Sequence, residues 1–463
     1  MSSVTSAAHE GTAAATGRVE GAATVLRLGA LHGSLADPLL DAMTFLNEVT
    51  SRFPAAISFA PGRPYEGFFA VEQVPEYYDA YLRHLREDCG MDEAQVRTEV
   101  FQYGRTKGTV HRLLARTLAV DEGIRVDPEA LVLTVGAQEG MVLVLRALFA
   151  DPQDVLLVSS PCYIGITGAA RTLDIGYAPV AEGPDGMPDA AALRAAAAAV
   201  RARGGRPRAF YVVPDFANPS GSSMPLPDRE RLLEAAAAED LIVIEDNPYG
   251  FFALDLAARP TLKSLDRTGR VVYIGSFAKT CFPGARLGYV VADQPVQYPD
   301  GRRTLLADEL AKIKSMVTVN TPSLSQAVIG GILLRHDASL RRANAEASRF
   351  YARNMRTLLA ELDRAFPAAA RERHGIDWNR PEGGFFAVVR VPFLADDAAM
   401  VRCAQRHGVL WTPMHGFYPQ GGGERRLRLS CSVLDPELIA QGVERLAAFV
   451  FEEIEGMRAQ PRG

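Results

Sequence analysis

Short apolar runs recur through the middle of the chain, at positions 131–135, 155–159, 175–180, 209–213, 241–244, 271–275 and 287–292. Most are rich in β-branched residues and stay apolar throughout rather than alternating, as strands covered on both faces do. Between several of them the apolar spacing is helical, over 138–149, 189–203 and 228–239, and Pro227-Asp228-Arg229-Glu230 has the character of a helix start. This alternation predicts an α/β fold, with a mostly parallel seven-stranded sheet flanked by helices.

After Thr321 the pattern changes. Residues 322–366 read as largely helical, with apolar positions such as Leu324, Val328, Ile329, Ile332 and Leu333, and a long helix leads out of the first domain. Strands at 385–391, 409–413 and 426–432 and a last helix over 436–451 form a small α+β unit. The expected organisation has four parts. Residues 1–27 are a disordered leader rich in Ala, Ser, Thr and Gly, and 28–75 pack with the small domain. Residues 76–320 form the large domain, and 321–463 supply the connecting helix and the small domain.

Composition narrows the class without naming a function. The chain has 463 residues, 48% hydrophobic and 23% charged, ample for the core of an ordinary globular protein. A formal net charge of -5 argues against nucleic acid as the main partner. The five cysteines are scattered and form no Cys-x-x-Cys pair, and the eight histidines show no ligand spacing, so no metal site is expected. Free thiols fit a cytoplasmic location. The N-terminus lacks the basic and apolar regions of a signal peptide. No stretch reaches the roughly 18 apolar residues that span a bilayer, so no membrane contact is expected.

Six local features carry chemistry. Ser276-Phe277-Ala278-Lys279 follows a strand and leads to Arg286-Leu287-Gly288. A buried ammonium there is costly, and covalent attachment to a carbonyl compound removes the charge; Ser276 and Arg286 both suit a phosphate dianion. Alone, a Ser-x-x-Lys is as well a surface lysine. Asp246 closes an apolar strand and Tyr249 follows three residues later; Asp246 suits a pyridinium nitrogen, or a plain helix cap. Asn218 lies in Asn218-Pro219-Ser220-Gly221, which is otherwise a turn. Gly136-Ala137-Gln138 opens a helix straight after a strand, where free N–H groups and the helix dipole receive phosphate. Tyr163 follows another strand and suits either a flat ring or the core. Arg426-Leu427-Arg428 alternates as a strand does, and period alone does not choose between its arginines.

In this order and strand context, the six features resemble the class I/II aminotransferases of pyridoxal 5'-phosphate fold type I, over roughly residues 50 to 450. The closer likeness is to the kynurenine/aminoadipate aminotransferase subgroup. The resemblance implies that Lys279 holds the cofactor as a Schiff base and that Asp246 and Tyr249 share the catalytic work. It also implies cofactor contacts from Gly136, Ala137, Gln138, Tyr163, Asn218, Ser276 and Arg286. Arg428-Leu429-Ser430 fits the family's late strand, which makes Arg428 the binder of the substrate carboxylate, beside Asn218 and Gly62. Gln102-Tyr103-Gly104 is similar to the motif whose tyrosine reaches the neighbouring subunit's phosphate, which implies a homodimer with Tyr103 crossing over. The segment from Ser58 to Pro64 resembles the one that closes over substrate.

Two departures stand out. Ala278 replaces a second phosphate-binding serine of many relatives, and Arg63 stands where small or apolar residues are usual, either contacting substrate or, the favoured reading, facing water. The expected reaction is a ping-pong exchange between an L-amino acid and a 2-oxo acid. The same scaffold hosts lyases, synthases and oxidases. A non-enzymatic effector domain behind a DNA-binding module is disfavoured, because only about 50 residues precede the family likeness. Met43-Thr44-Phe45-Leu46-Asn47-Glu48 and the run from Pro61 to Phe69 look similar to arylglycine transaminases of peptide-antibiotic pathways, with Tyr65, Phe68 and Phe69 as candidates for an aryl pocket or, equally, for core or dimer contacts.

Overall fold

The computed structural model describes residues 24–37, 40, 51–183, 185–255 and 259–459. Most of the leader and the stretch from Met43 to Glu48 lie outside these described residues. All seven apolar runs form strands of one sheet: β1 (Leu131–Thr134), β2 (Asp154–Ser160), β3 (Gly176–Ala181), β4 (Arg206–Val212), β5 (Ile242–Asp246), β6 (Val271–Ser276) and β7 (Gly288–Val291). Their order is β1-β7-β6-β5-β4-β2-β3, and β7 alone runs against the others. Strand interiors such as Leu156, Leu157, Val243, Ile244, Val272 and Ile274 are fully buried, which accounts for their unbroken apolar character. Helices Gly136–Leu148, Ala190–Ala202 and Leu226–Ala238 supply much of the cover.

Strand boundaries shift where charge hides the pattern. β4 begins at Arg206, before the apolar run, because Arg206 pairs with Asp154 in β2 and its Nε meets that carboxylate at 2.5 Å. The last helix spans Pro436–Ala459, beyond position 451. Its outer turns carry Glu452 and Glu453, which pair with Arg406 and Arg402 of helix Asp397–His407, so it continues after its apolar stripe ends.

A second sheet holds Asp377–Trp378, Phe386–Arg390, Arg426–Ser430 and Thr412–Pro413, in that order and antiparallel. It shares a core with helices Ala345–Ala365 and Pro436–Ala459, around Leu358, Trp411 and Val450. Strand Ile57–Ser58 pairs in parallel with Val409–Leu410, which draws the N-terminal segment to this unit.

This topology decides where chemistry can sit. Five of the motifs follow the carboxyl ends of β1, β2, β4, β5 and β6, and Arg286 enters at the amino end of the reversed β7. These five motifs therefore reach one edge of the sheet, where open α/β folds bind ligands, while Arg428 arrives from the second sheet.

Candidate active site

A cavity of about 520 Å³ opens at that edge, with residues 60–63 on one side. Its lining includes Ala137, Gln138, Tyr163, Asn218, Asp246, Tyr249, Ser276, Lys279, Arg286 and Arg428.

Lys279 lies on the one-turn helix Phe277–Thr280, capped by Ser276 Oγ, which accepts from the Ala278 N–H at 3.2 Å. The cap fixes where the lysine leaves the backbone. Lys279 Nζ donates to the Gly62 carbonyl at 2.9 Å. Burial lowers its pKa to about 8, helped by the Arg286 and Arg428 cations and opposed by Asp246.

Asp246 ends β5, buried. Its Oδ2 accepts from the Tyr211 hydroxyl at 2.6 Å, while Oδ1 is buried with no hydrogen-bond partner among the described residues. Burial pushes its pKa up to about 6, against the pull of the Tyr211 hydrogen bond and Lys279. An orphaned carboxylate oxygen facing a cavity is a place for a donor from a ligand. Tyr211 escaped the sequence reading because it sits inside an apolar strand and looks like core.

The Asn218 amide joins two groups. It hydrogen-bonds the Tyr249 hydroxyl, and its Oδ1 accepts from Arg428 Nη1 at 2.6 Å. Arg428 Nη2 donates to the Ala60 carbonyl at 2.7 Å and to Thr412 Oγ1 at 3.1 Å, and its guanidinium lies 4.5 Å from the Phe386 ring centre. Arg428 is only 5% exposed, and burial lowers its pKa to about 10. Arg426 instead pairs with Glu182 and Tyr418, away from the cavity lining. Geometry thus separates the two arginines that alternation left equal.

At the opposite wall, helix Gly136–Leu148 begins beneath Arg286. Gly136 has φ 73°, and a side chain there would strike the Arg286 guanidinium at 2.5 Å. Across from it, a Cβ on Gly288 would come within 2.6 Å of the Ala137 nitrogen. Two glycines therefore let an arginine and a helix start share one small space. The Gln138 amide donates to the Gly165 carbonyl at 2.8 Å and meets the Tyr163 hydroxyl at 3.5 Å. Its side chain thus braces Tyr163, leaving its backbone as the group free for an anion.

The structure decides between the pocket and packing readings of three aromatic residues. Tyr65 and Phe68 do not line this cavity: Tyr65 stacks on Phe350 at 4.7 Å, its N–H bonds the Tyr351 hydroxyl, and Phe68 packs edge-on against both rings. Phe69 lies against Phe282, also outside the lining. The apolar wall comes instead from Ile164, Val213, Pro248 and Phe417, whose motifs carried no distinguishing signal. Tyr103 is 83% exposed and takes no part in this cavity within one chain.

Comparison with known proteins follows the same line. The family model for aminotransferase class I and II matches residues 76–446. The chain is 50% identical to an (S)-3,5-dihydroxyphenylglycine transaminase of Amycolatopsis orientalis, covering 95% of this chain and 98% of that one. Among solved structures, it resembles the α-aminoadipate aminotransferase of Thermus thermophilus complexed with N-(5'-phosphopyridoxyl)-L-leucine, at TM-score 0.71 and 30% identity, covering 92% and 100% of the two chains. The kynurenine aminotransferase of Pyrococcus horikoshii is similar at TM-score 0.74 and 27% identity, over 90% and 95%.

Proposed function

The chain belongs to the class I and II aminotransferases, and from that premise we propose that it exchanges the amino group of an arylglycine with a 2-oxo acid at the Lys279–Arg428 cavity. It is an amino-group transferase, and its cofactor is pyridoxal phosphate. The observation that carries the site assignment is the buried, unpartnered Asp246 Oδ1 in one cavity with Lys279. A protonated ring nitrogen satisfies that oxygen. Lys279 would hold the cofactor covalently. Ser276, Arg286 and the backbone of Ala137 and Gln138 would hold its phosphate, and Tyr163, Tyr249 and Asn218 its ring. Bound there, the cofactor supplies an electron sink for negative charge at the amino acid's Cα.

The chain's own groups do the rest. Arg428, held by Asn218, Thr412 and the Ala60 carbonyl, takes the substrate carboxylate in a bidentate fork. Its fixed position orients Cα. Lys279 Nζ, with a pKa depressed toward neutrality, takes a proton from Cα. Residues 60–63 lie over the site and keep water from the reacting atoms.

The arylglycine assignment rests on the Amycolatopsis relative and on the apolar wall of Ile164, Val213, Pro248 and Phe417. The working form is a homodimer: Phe101, Tyr103, Met316, Val317 and Val319 are large apolar residues left exposed, and Tyr103 serves the neighbouring site. The described cysteines are free, in keeping with work in the cytoplasm, and no described helix is long and apolar enough to cross a membrane. Incubation with (S)-3,5-dihydroxyphenylglycine and a 2-oxo acid tests the function. Equal amounts of new amino acid and arylglyoxylate, without ammonia, are expected; ammonia release would mean a lyase or oxidase instead.

A further inference from the structure

Four cations line the cavity among the described residues: Lys279, Arg286, Arg428 and Arg63. The proposed function gives the first three a task and leaves Arg63 without one. Its backbone is firmly placed. The Ser432 hydroxyl donates to the Arg63 carbonyl at 2.6 Å, and the neighbouring Gly62 and Ala60 carbonyls accept from Lys279 and Arg428. The side chain therefore starts from a segment pinned to the groups that would hold cofactor and substrate. Its Nη1 meets Glu66 Oε1 at 2.6 Å, with the two side chains 56% and 66% exposed. So exposed an ion pair adds little to stability. Arg63 is among the residues lining the cavity, and Glu66, outside that lining, holds an acceptor 2.6 Å from its guanidinium.

Resting on the arylglycine reading, we infer that the Arg63–Glu66 pair recognises ring hydroxyl groups of the substrate and sets the preference for phenolic over unsubstituted rings. A phenol both donates and accepts, whereas a guanidinium only donates and a carboxylate only accepts. The pair offers one of each, and so satisfies a hydroxyl in both directions. A second carboxylate on the substrate fits less well, because Glu66 repels it while neutralising Arg63. A bare phenyl ring meets no partner there at all. Asp246 is the one carboxylate among the described lining residues and is committed elsewhere.

Titration calorimetry on the holoenzyme tests this with two dead-end acids, 3,5-dihydroxyphenylacetate and phenylacetate, which share the carboxylate–carbon–ring spacing of the substrate. The wild type is expected to bind the hydroxylated acid about ten- to a hundredfold more tightly. In Arg63→Leu that ratio falls to within about twofold of one, and Arg63→Lys, which keeps the charge but loses the fork, is intermediate. In Glu66→Gln, binding of 2-oxoadipate improves relative to the phenolic acid. Equal wild-type affinities, or a preference undiminished in Arg63→Leu, would overturn the inference. Turnover of arylglyoxylates by the wild type is measured alongside. If both are transaminated while the preference survives Arg63→Leu, this inference alone fails. If neither is transaminated, the arylglycine reading fails with it.

Discussion

At the scale of single residues, the account turns on charges buried without water. Arg428 sits in a low-dielectric pocket with three oxygen partners already in place, so its fork is pre-organised for a carboxylate. Arg428→Met is expected to lower kcat/KM by about a hundredfold or more, mainly through KM, in steady-state assays. Lys279 gives a pH prediction whose sign follows from its depressed pKa. In the cofactor-free chain its amine is mostly protonated below about pH 8 and mostly free above it. Covalent capture of the cofactor needs the free amine. Its rate should therefore rise with pH around a midpoint near 8 and level off about one unit above it, as followed by absorbance; a midpoint near the ordinary lysine value would contradict the burial argument. In the sequence, Lys279, Asp246 and Arg428 each have a plain alternative on pattern alone and are singled out by their resemblance to the family's motifs. The sequence hid Tyr211, whose aromatic ring is ordinary core and whose hydroxyl matters only once β4 lies beside β5.

At the scale of elements, the site is built by loops leaving strand ends, and each loop has its own anchor. Arg229, on helix Leu226–Ala238, is buried against Asp215 at 2.5 Å and also donates to the Met224 and Pro260 carbonyls. It clamps the loop that carries Asn218. Arg229→Met would leave the Asp215 carboxylate buried and alone, a loss of about 3–5 kcal/mol. A thermal midpoint lower by several degrees is expected from a melting curve, and an unchanged midpoint would remove the clamp from the account. Gly288 is the second anchor, since a Cβ there meets the Ala137 backbone. Gly288→Ala should displace the helix start that would receive phosphate and weaken cofactor binding about tenfold or more, measurable by fluorescence titration. Strand identity was legible because most of the seven strands are covered on both faces and read as unbroken apolar runs, the edge strand Gly176–Ala181 being only half-buried. Strand ends were less so: Arg206 belongs to β4 through a cross-strand ion pair that no single-strand pattern encodes. The sequence leaves Tyr65 and Phe68 between pocket and core for a similar reason, because aromatic character does not say which wall a ring joins, and Phe350 lies far away in the sequence.

At the scale of the whole molecule, one sheet edge, the second sheet and the N-terminal segment must meet for the cavity to exist. Arg428 comes from the second sheet, Lys279 from the first, and residues 60–63 join them. The exposed Tyr103 and its apolar companions are the surface on which the proposed homodimer rests. Sedimentation should give a mass near twice the chain's 50.1 kDa, and Tyr103→Ala should release cofactor more readily. A monomer with full cofactor retention would contradict the shared site. The most direct test of the central claim is borohydride reduction of the holoenzyme followed by peptide mass mapping, with and without (S)-3,5-dihydroxyphenylglycine. The account predicts cofactor fixed to the peptide bearing Lys279, and loss of that label when the arylglycine is added first. Label on another lysine, or label unaffected by any amino acid, would contradict it.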